Sequence, residues 1–234
     1  TVVAAAPTTD TDPSGAARSF CAVTGEIASV DSTAQPIRFQ VNLPNAWNQR
    51  ALQLGGGGTD GTVVTGLDGF AEQPESIPTP LAQGYVTLGS DSGHNSDKAA
   101  PFDTTFALND EQLANFGGLQ IKKTLDTAKA VMRAAYGQDP RYVYFIGGSQ
   151  GGHEAFDAAQ RYPDDYNGVV AEYPAYDVIT MWLGAWEQAR AIYGDTSGVA
   201  SPTWINPNKV ATLVTSVATP ATARRRHRRP DQQH

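Results

Sequence analysis

The chain has 234 residues, of which 40% are hydrophobic and 9% are aromatic. This composition is typical of a globular protein, and it excludes a collagen-like, coiled-coil or wholly disordered chain. No run of about 18 apolar residues occurs, so we expect neither a membrane-spanning helix nor a membrane partner. The single cysteine, Cys21, excludes an intramolecular disulfide framework and a cysteine-rich zinc site.

The net charge of −7 is unevenly distributed. Residues 221–234 carry five arginines and one aspartate, whereas the rest of the chain is strongly acidic. An acidic body argues against specific nucleic-acid binding, which needs clustered Lys and Arg on a folded face. We predict a disordered basic tail over 220–234; as an alternative role, it could bind nucleic acid or an anionic membrane nonspecifically.

The N-terminal residues 1–20 are small and polar and contain proline. They lack the charged start and apolar run of an intact signal peptide, but resemble the segment that follows a cleaved one. This favours a secreted protein, with the flexible terminus of a cytosolic protein as the alternative. We predict a flexible segment over 1–20 and order from about Cys21.

The first half of the ordered region shows strand patterns and little helix. Residues 36–41 (PIRFQV) alternate between apolar and polar, as a half-buried strand does. Two further apolar runs, 50–54 and 84–88, predict strands, and the first of them ends in the four glycines 55–58.

The pattern then changes to alternating helix and strand. Apolar residues at steps of three and four predict a helix from about Ile121 to Ala135. The run 142–146 (YVYFI) predicts a central strand, a helix follows over about 153–162, and 168–171 (GVVA) predicts a buried strand. Strand, helix, strand, helix, strand with short links is typical of parallel βαβ units, so we predict an α/β fold.

Residues 147–151 (GGSQG) form the pattern G-x-S-x-G directly after a strand and before a helix. This is the nucleophile elbow of α/β-hydrolases, and it predicts Ser149 as a nucleophile on a turn that requires flanking glycines. The Gln150 backbone N–H would then lie at a helix N-terminus and stabilise an oxyanion. The alternatives are a turn without chemistry or a phosphate-binding loop. A phosphate-binding loop has a lysine after its last glycine, and no lysine follows here.

The glycines 55–58 are the candidate for the other half of an oxyanion hole. In α/β-hydrolases the second N–H donor comes from a glycine-rich loop that follows an earlier strand. A flexible turn is the alternative, but both loops occur in the expected order.

Several segments together resemble a known family: 47–61, 84–94, 115–137 and 142–175. In this order they resemble the tannase and feruloyl esterase family of secreted serine esterases, from about Cys21 to about Val217. The resemblance implies an α/β-hydrolase core, acyl-enzyme chemistry and a lid inserted after the nucleophile half. It implies a small aromatic ester as substrate, of feruloyl, galloyl or terephthalate type.

By match of motif, Ser149 corresponds to the nucleophile, Gln150 to one oxyanion donor, and Gly57 or Gly58 to the other. We expect no cofactor and no metal ion for this chemistry. Four aromatic residues after the elbow could line an acid pocket or pack in the core, namely Tyr173, Tyr176, Trp182 and Trp186.

The sequence departs from the family pattern in two ways. Many members have a cysteine before the serine, bridged to a cysteine beside the catalytic histidine, and here Gly148 stands at that position. The family also places the catalytic acid and histidine beyond the lid, whereas this chain ends near the start of a lid. We therefore expect a partial core over 21–219, incomplete at its C-terminal end, whose unpaired sheet edge favours self-association.

The histidines of the chain are His94, His153, His227 and His234. We expect a structural or substrate-adjacent role for His94 and a packing role for His153. A triad within this chain would join Ser149 to Asp177 or Asp195 and to His227. Without one, the chain is an inactive fragment or a noncatalytic module that binds an aromatic ligand.

Overall fold

The computed structural model describes residues 1–70, 73–96 and 103–193, together with 209, 211, 212 and 214–216. It divides into two units, Thr1–Tyr176 and Asp177–His234. The first unit holds the sheet and the predicted site. The predicted basic tail over 220–234 lies outside the described residues, as do Asp195, His227 and His234.

Seven strands form one sheet in the first unit. They are β1 (Val2–Thr11), β2 (Ala17–Ile27), β3 (Ile37–Pro44), β4 (Arg50–Leu54), β5 (Val86–Ser90), β6 (Tyr142–Gly148) and β7 (Gly168–Glu172). Their order across the sheet is β1-β2-β3-β5-β4-β6-β7. The pairs from β1 through β3 to β5 are antiparallel, whereas β5, β4, β6 and β7 run parallel.

Four α-helices accompany the strands in the described residues. They are α1 (Asp110–Ala114), α2 (Gln120–Tyr136), α3 (Gln150–Arg161) and, in the second unit, α4 (Val178–Tyr193). A kinked π-helical turn, Asn115–Leu119, joins α1 to α2 and places Gly118 at a φ of 107°. Within the described residues, no helix has both the length and the apolar character to cross a membrane. The predicted α/β class is confirmed.

The core forms where α2 and α3 pack on the sheet. On α2, the predicted apolar stripe is the buried face, and Ile121, Leu125 and Met132 have no exposed surface. Ala135 lies beyond the stripe and is exposed, so the stripe ends one turn earlier than the spacing predicted. On α3, Ala155 and Ala158 are fully buried, and their small side chains let the helix pack closely on the sheet.

The N-terminal segment forms a strand, which corrects the prediction of a flexible segment over 1–20. Residues 2–11 pair antiparallel with β2. Arg18 on β2 is buried, and its guanidinium donates to both carboxylate oxygens of Asp10 at 2.7 Å. The composition misled because β1 is mostly exposed, so its order rests on main-chain pairing and not on the apolar alternation that marks a half-buried strand.

At the other end of the sheet, β7 pairs with β6 and has no second neighbour among the described strands. Val170, in the middle of β7, is 51% exposed. The strand therefore presents an unpaired edge in the described structure, as the element order predicted. Self-association through this edge stays a prediction.

Asp12 ties the β1–β2 hairpin to the loop before β5. Its Oδ1 accepts hydrogen bonds from the Ser14 hydroxyl at 2.6 Å and the Ala16 N–H at 2.9 Å. Its Oδ2 accepts from the Thr79 N–H at 2.6 Å, and the residue is 5% exposed. One carboxylate thus satisfies donors from two separate segments.

Asp12→Ala should lower the free energy of unfolding by about 2 kcal/mol, because it leaves several buried donors without an acceptor. Urea unfolding followed by circular dichroism measures this change. The control Asp139→Ala removes an exposed surface partner of Arg133 and should cost less than about 0.5 kcal/mol. Equal losses in the two variants would contradict the role given to Asp12.

Candidate active site

Ser149 lies on the sharp turn between β6 and α3. Its φ of 56° and ψ of −116° are values that a non-glycine residue rarely adopts. Its N–H donates to the Glu172 carbonyl oxygen at 3.2 Å, and its own carbonyl oxygen accepts from the Ala175 N–H at 2.8 Å. The strained turn is therefore held by the main chain that leads out of β7.

The glycines beside Ser149 are required by close main-chain contacts. A Cβ atom at Gly147 would lie 2.3 Å from the carbonyl oxygen of Gly151. A Cβ atom at Gly151 would lie 2.7 Å from the carbonyl oxygen of Gly56. Both distances are far below van der Waals contact, so these contacts support the reason given for glycine at positions 147 and 151.

The second glycine turn, 55–58, is fastened to this elbow through its first two residues. The Gly55 N–H donates to the Ile146 carbonyl oxygen at 2.9 Å, and the Gly151 N–H donates to the Gly56 carbonyl oxygen at 3.0 Å. The N–H groups of Gly57, Gly58 and Gln150 make no hydrogen bond to any described residue. They are thus the main-chain donors at this site that are left for a ligand.

A groove of about 490 Å³ runs past Ser149 and Gly57. Residues 63–66 and 68–70 also line it, together with Glu172 and Tyr173. Gly58 and Gln150 are not among the lining residues, and the Gln150 side chain is buried. The geometry brings Ser149 and Gly57 to one groove, with the Gln150 N–H next to Ser149 in the chain.

Neither described histidine forms a hydrogen bond with Ser149. His94 is 2% exposed, donates from Nε2 to the Thr59 carbonyl oxygen at 2.8 Å and stacks on Phe106. His153 donates from Nδ1 to the Ala175 carbonyl oxygen at 3.1 Å. Both rings bind main chain, which agrees with the structural roles expected of them.

Asp177, a candidate acid of the sequence analysis, belongs to the second unit and lies at the start of α4. Its Oδ1 accepts a hydrogen bond from the Thr180 N–H at 3.0 Å, and this bond lowers the pKa of the carboxyl group. The carboxylate therefore acts as a helix cap.

The four aromatic candidates do not pack in the core. Tyr173 is 57% exposed in the groove, and Tyr176 is 76% exposed and packs edge-on against Phe156. Trp182 and Trp186 lie on α4 in the second unit and are about half exposed. Tyr173 is the one of the four that lines the groove beside Ser149.

Tyr173 has a φ of 29°, and its ring lies against Gly148. A Cβ atom at Gly148 would lie 2.5 Å from the Tyr173 hydroxyl oxygen. The tyrosine ring thus occupies the space that a side chain at position 148 would need. Many members of the family that the sequence resembles have cysteine at this position. The motif could not predict this contact, because Tyr173 lies in a separate segment, directly after β7.

Two buried acids behind the glycine turn, Asp60 and Glu154, were also missed by the sequence analysis. Glu154 follows Ser149 by little more than one helical turn, on the buried face of α3. A carboxylate on the same helix face as Gly151, Ala155 and Ala158 was the available signal, since such groups are rarely buried without a partner.

The comparisons with known proteins identify the family of the chain. Residues 21–221 match the family described as tannase and feruloyl esterase. The chain is 43% identical over 199 residues to an uncharacterized esterase of Agrobacterium fabrum, covering 85% of this chain and 35% of that protein. It is 31% identical over 200 residues to the mono(2-hydroxyethyl) terephthalate hydrolase of Piscinibacter sakaiensis, covering 80% of this chain and 32% of that protein.

A solved structure gives the same picture. The crystal structure of feruloyl esterase B from Aspergillus oryzae is similar with a TM-score of 0.64 and 25% identity, over 84% of this chain and 38% of that one. The predicted α/β-hydrolase fold is confirmed by this match. The chain spans about a third of the length of the curated relatives named above.

Gly148→Ala should lower the free energy of unfolding by about 1 kcal/mol, because the new methyl group must displace the Tyr173 ring. The same substitution made in a Tyr173→Ala background should cost almost nothing, since the space is then open. Urea unfolding of the two single variants and the double variant measures the coupling. Equal costs in both backgrounds would show that the ring does not occupy this space.

Burial lowers the pKa of His94 below its ordinary value of 6.5. The folded protein therefore favours the neutral ring, so the contribution of His94 to stability is complete above about pH 6.5 and is lost as the pH drops below it. His94→Gln keeps a donor for Thr59 but does not titrate, so its stability should fall less over this range. Thermal unfolding at a series of pH values tests this, with His153→Gln as the control that keeps the wild-type dependence.

Proposed function

The chain belongs to the tannase and feruloyl esterase family, and from this premise we propose that it is a secreted serine carboxylesterase acting on esters of aromatic acids. The observation that carries the proposal is the position of Ser149, on a strained turn beside a groove and next to unpaired main-chain donors. Strain of this kind is concentrated at functional sites.

The proposed reaction is acyl transfer through Ser149. Its hydroxyl oxygen attacks the ester carbonyl carbon, and the carbonyl oxygen becomes a tetrahedral oxyanion. The N–H of Gln150 and that of Gly57 or Gly58 donate hydrogen bonds to this oxyanion. The alcohol then leaves, and water hydrolyses the acyl-enzyme to release the acid.

A base must accept the Ser149 proton. In this fold the acid and the histidine follow the serine in chain order. No described residue supplies such a histidine to Ser149, and the proposal places that role outside the described residues. A noncatalytic module that binds an aromatic ligand is the second candidate, and this same observation favours it.

Aromatic acyl groups are proposed from the relatives and from one side chain. The names of two similar proteins refer to a terephthalate monoester and to feruloyl esters. In this chain, Tyr173 presents an exposed ring to the groove beside Ser149, where it could stack on an aromatic acid. The groove volume of about 490 Å³ is that of a small-molecule site.

A fluorophosphonate probe, which reacts with activated serines, should label the chain, and Ser149→Ala should abolish the labelling. Gln150→Ala should be mild, because the donor is main chain. Gln150→Pro removes the N–H and should slow labelling by about 10²–10³-fold. Proline is tolerated at the first position of a helix, so the variant should still fold, which circular dichroism checks.

Equal effects of the two Gln150 variants would contradict the main-chain donor. If the wild type is not labelled but binds ferulate, and Ser149→Ala binds it equally well, the binding module is supported. If the chain turns over p-nitrophenyl acetate but neither methyl ferulate nor methyl gallate, the aromatic acyl preference is wrong and a general serine esterase remains.

A further inference from the structure

Two carboxyl groups are buried behind the glycine turn 55–58. Glu154 projects from α3 and is 1% exposed, and Asp60 follows the turn and is 7% exposed. No lysine, arginine or histidine forms a salt bridge with either of them in the described residues. Buried carboxylates without a cationic partner are costly, so their contacts need an explanation.

Each carboxyl group accepts hydrogen bonds from fixed donors. Glu154 Oε2 accepts from the Gly56 N–H at 3.0 Å, and its Oε1 accepts from the Gln120 side-chain amide at 2.9 Å. Asp60 Oδ2 accepts from the Ser92 hydroxyl at 2.6 Å. Gln120 is held in turn, because its Oε1 accepts from the Ser90 hydroxyl at 2.7 Å. The network therefore joins α2, α3 and the end of β5 to the glycine turn.

One oxygen of this network is left without an ordinary donor. Asp60 Oδ1 is buried, and no N–H or described hydroxyl group donates to it. The neighbouring carboxyl group is that of Glu154, because Glu154 Oε2 accepts from the Gly56 N–H and Asp60 Oδ1 lies against the same glycine. The proximity of Asp60 also raises the pKa of Glu154. Two carboxylate oxygens are both acceptors, so they can be joined only if one group carries a proton.

The two carboxyl groups also lie against the faces of the first two glycines. A Cβ atom at Gly55 would lie 2.7 Å from Glu154 Oε2, and one at Gly56 would lie 2.3 Å from Asp60 Oδ1. At Gly56 the nearest atom is that of the acid, whereas at Gly55 the Cα atom of Gly151 is slightly closer, at 2.6 Å, so the elbow and Glu154 both require glycine there. The turn can rest on the pair only because it has no side chains there.

We propose that Asp60 and Glu154 share one proton and are positioning residues that hold the glycine turn at the elbow. Glu154 fixes the Gly56 N–H, the Gly56 carbonyl oxygen is fixed by Gly151, and the N–H groups of Gly57 and Gly58 are left for the substrate. The role in ester hydrolysis rests on the proposed function, whereas the shared proton does not.

The neighbouring charges oppose a second negative charge on the pair. Asp91, at the end of β5, is fully buried, and its carboxylate is paired with Arg38 of β3 at 2.6 Å. Asp91 raises the pKa of Asp60, in addition to the larger effect of burial. His94 donates a hydrogen bond to the carbonyl oxygen of Thr59, which directly precedes Asp60. Burial lowers the pKa of His94, so its ring carries no positive charge at neutral pH. Tyr166, near Glu154, has a pKa raised by burial and stays neutral.

The shared proton predicts a specific pH dependence. Burial and the proximity of Asp60 raise the pKa of Glu154 well above its ordinary value of 4.5. The unfolded chain loses this proton above about pH 4.5, whereas the folded chain keeps it, so the pair's contribution to stability falls as the pH rises. One retained proton makes the unfolding equilibrium constant rise about tenfold per pH unit.

The test compares urea unfolding of the full chain at a series of pH values above about 4.5. Glu154→Gln carries no titratable group, its amide oxygen can accept from Gly56, and its amide N–H can donate to Asp60, although the bond from the Gln120 amide is lost. This variant should fold, and the rise of its unfolding equilibrium constant with pH should be smaller than in the wild type by up to tenfold per pH unit. Asp60→Asn should show the same reduction. The matched control Asp157→Asn, a half-buried acid on the same helix, should keep the wild-type slope.

A wild-type slope in both Glu154→Gln and Asp60→Asn would overturn the shared proton. The positioning role has its own readout, which is hydrogen–deuterium exchange of the segment 54–61. Glu154→Leu, which cannot accept from Gly56, should exchange faster there than Glu154→Gln, and equal protection in the two would overturn the role. If Glu154→Leu does not fold, Glu154→Ala, which also cannot accept from Gly56, takes its place in the same comparison.

Neither readout needs activity. If Ser149 is not labelled by the fluorophosphonate probe, the proposed function fails. The pH dependence of unfolding and the hydrogen–deuterium exchange of 54–61 still test the shared proton and the positioning role. If labelling occurs, Glu154→Gln should be labelled within about threefold of the wild-type rate and Glu154→Leu at least tenfold more slowly. Equal rates in these two variants would remove the pair from the proposed catalytic machinery.

Discussion

The parallel pairing of β4 with β6 is the constraint on which the site depends. Leu54 and Ile146 are in register at the ends of these strands, so the chain leaves the sheet twice at the same place. One exit is the glycine turn and the other is the elbow that carries Ser149. The bond from the Gly151 N–H to the Gly56 carbonyl oxygen then joins them, main chain to main chain. Side chains at either turn would prevent this approach, which is why glycine is found on both sides.

The strain at Ser149 is balanced by the neighbouring strand. A backbone conformation of this kind costs about 1–3 kcal/mol and persists only where the surroundings fix it. Here the Ser149 N–H donates to Glu172, the last residue of β7, and the Ser149 carbonyl oxygen accepts from Ala175 beyond it. The conformation of the nucleophile candidate therefore depends on β7, which has a single neighbour among the described strands.

The sequence predicted what local patterns encode. Periodicity placed β4, β6, β7 and α2, and the glycine motifs placed both turns, because these signals depend on residues close together in the chain. It could not reveal β1, whose order comes from pairing with β2 and not from apolar alternation. Asp60 and Glu154 were missed for a related reason, since they come together only when α3 packs against the glycine turn. The contact of Tyr173 with Gly148 is likewise a product of the β6–β7 register.

The replacement of cysteine by glycine at position 148 acquires a physical meaning from these contacts. In the family pattern a disulfide bridge would brace the elbow at this position, and this chain has one cysteine, Cys21, on β2. Here the elbow is held without a covalent bond, by the Tyr173 ring on one side and by the network of Glu154 on the other. A disulfide responds to the redox state, whereas a network with a shared proton responds to pH. If Asp60 and Glu154 share a proton as proposed, the stability of this elbow therefore depends on pH, whereas that of an elbow with the disulfide bridge depends on the redox state.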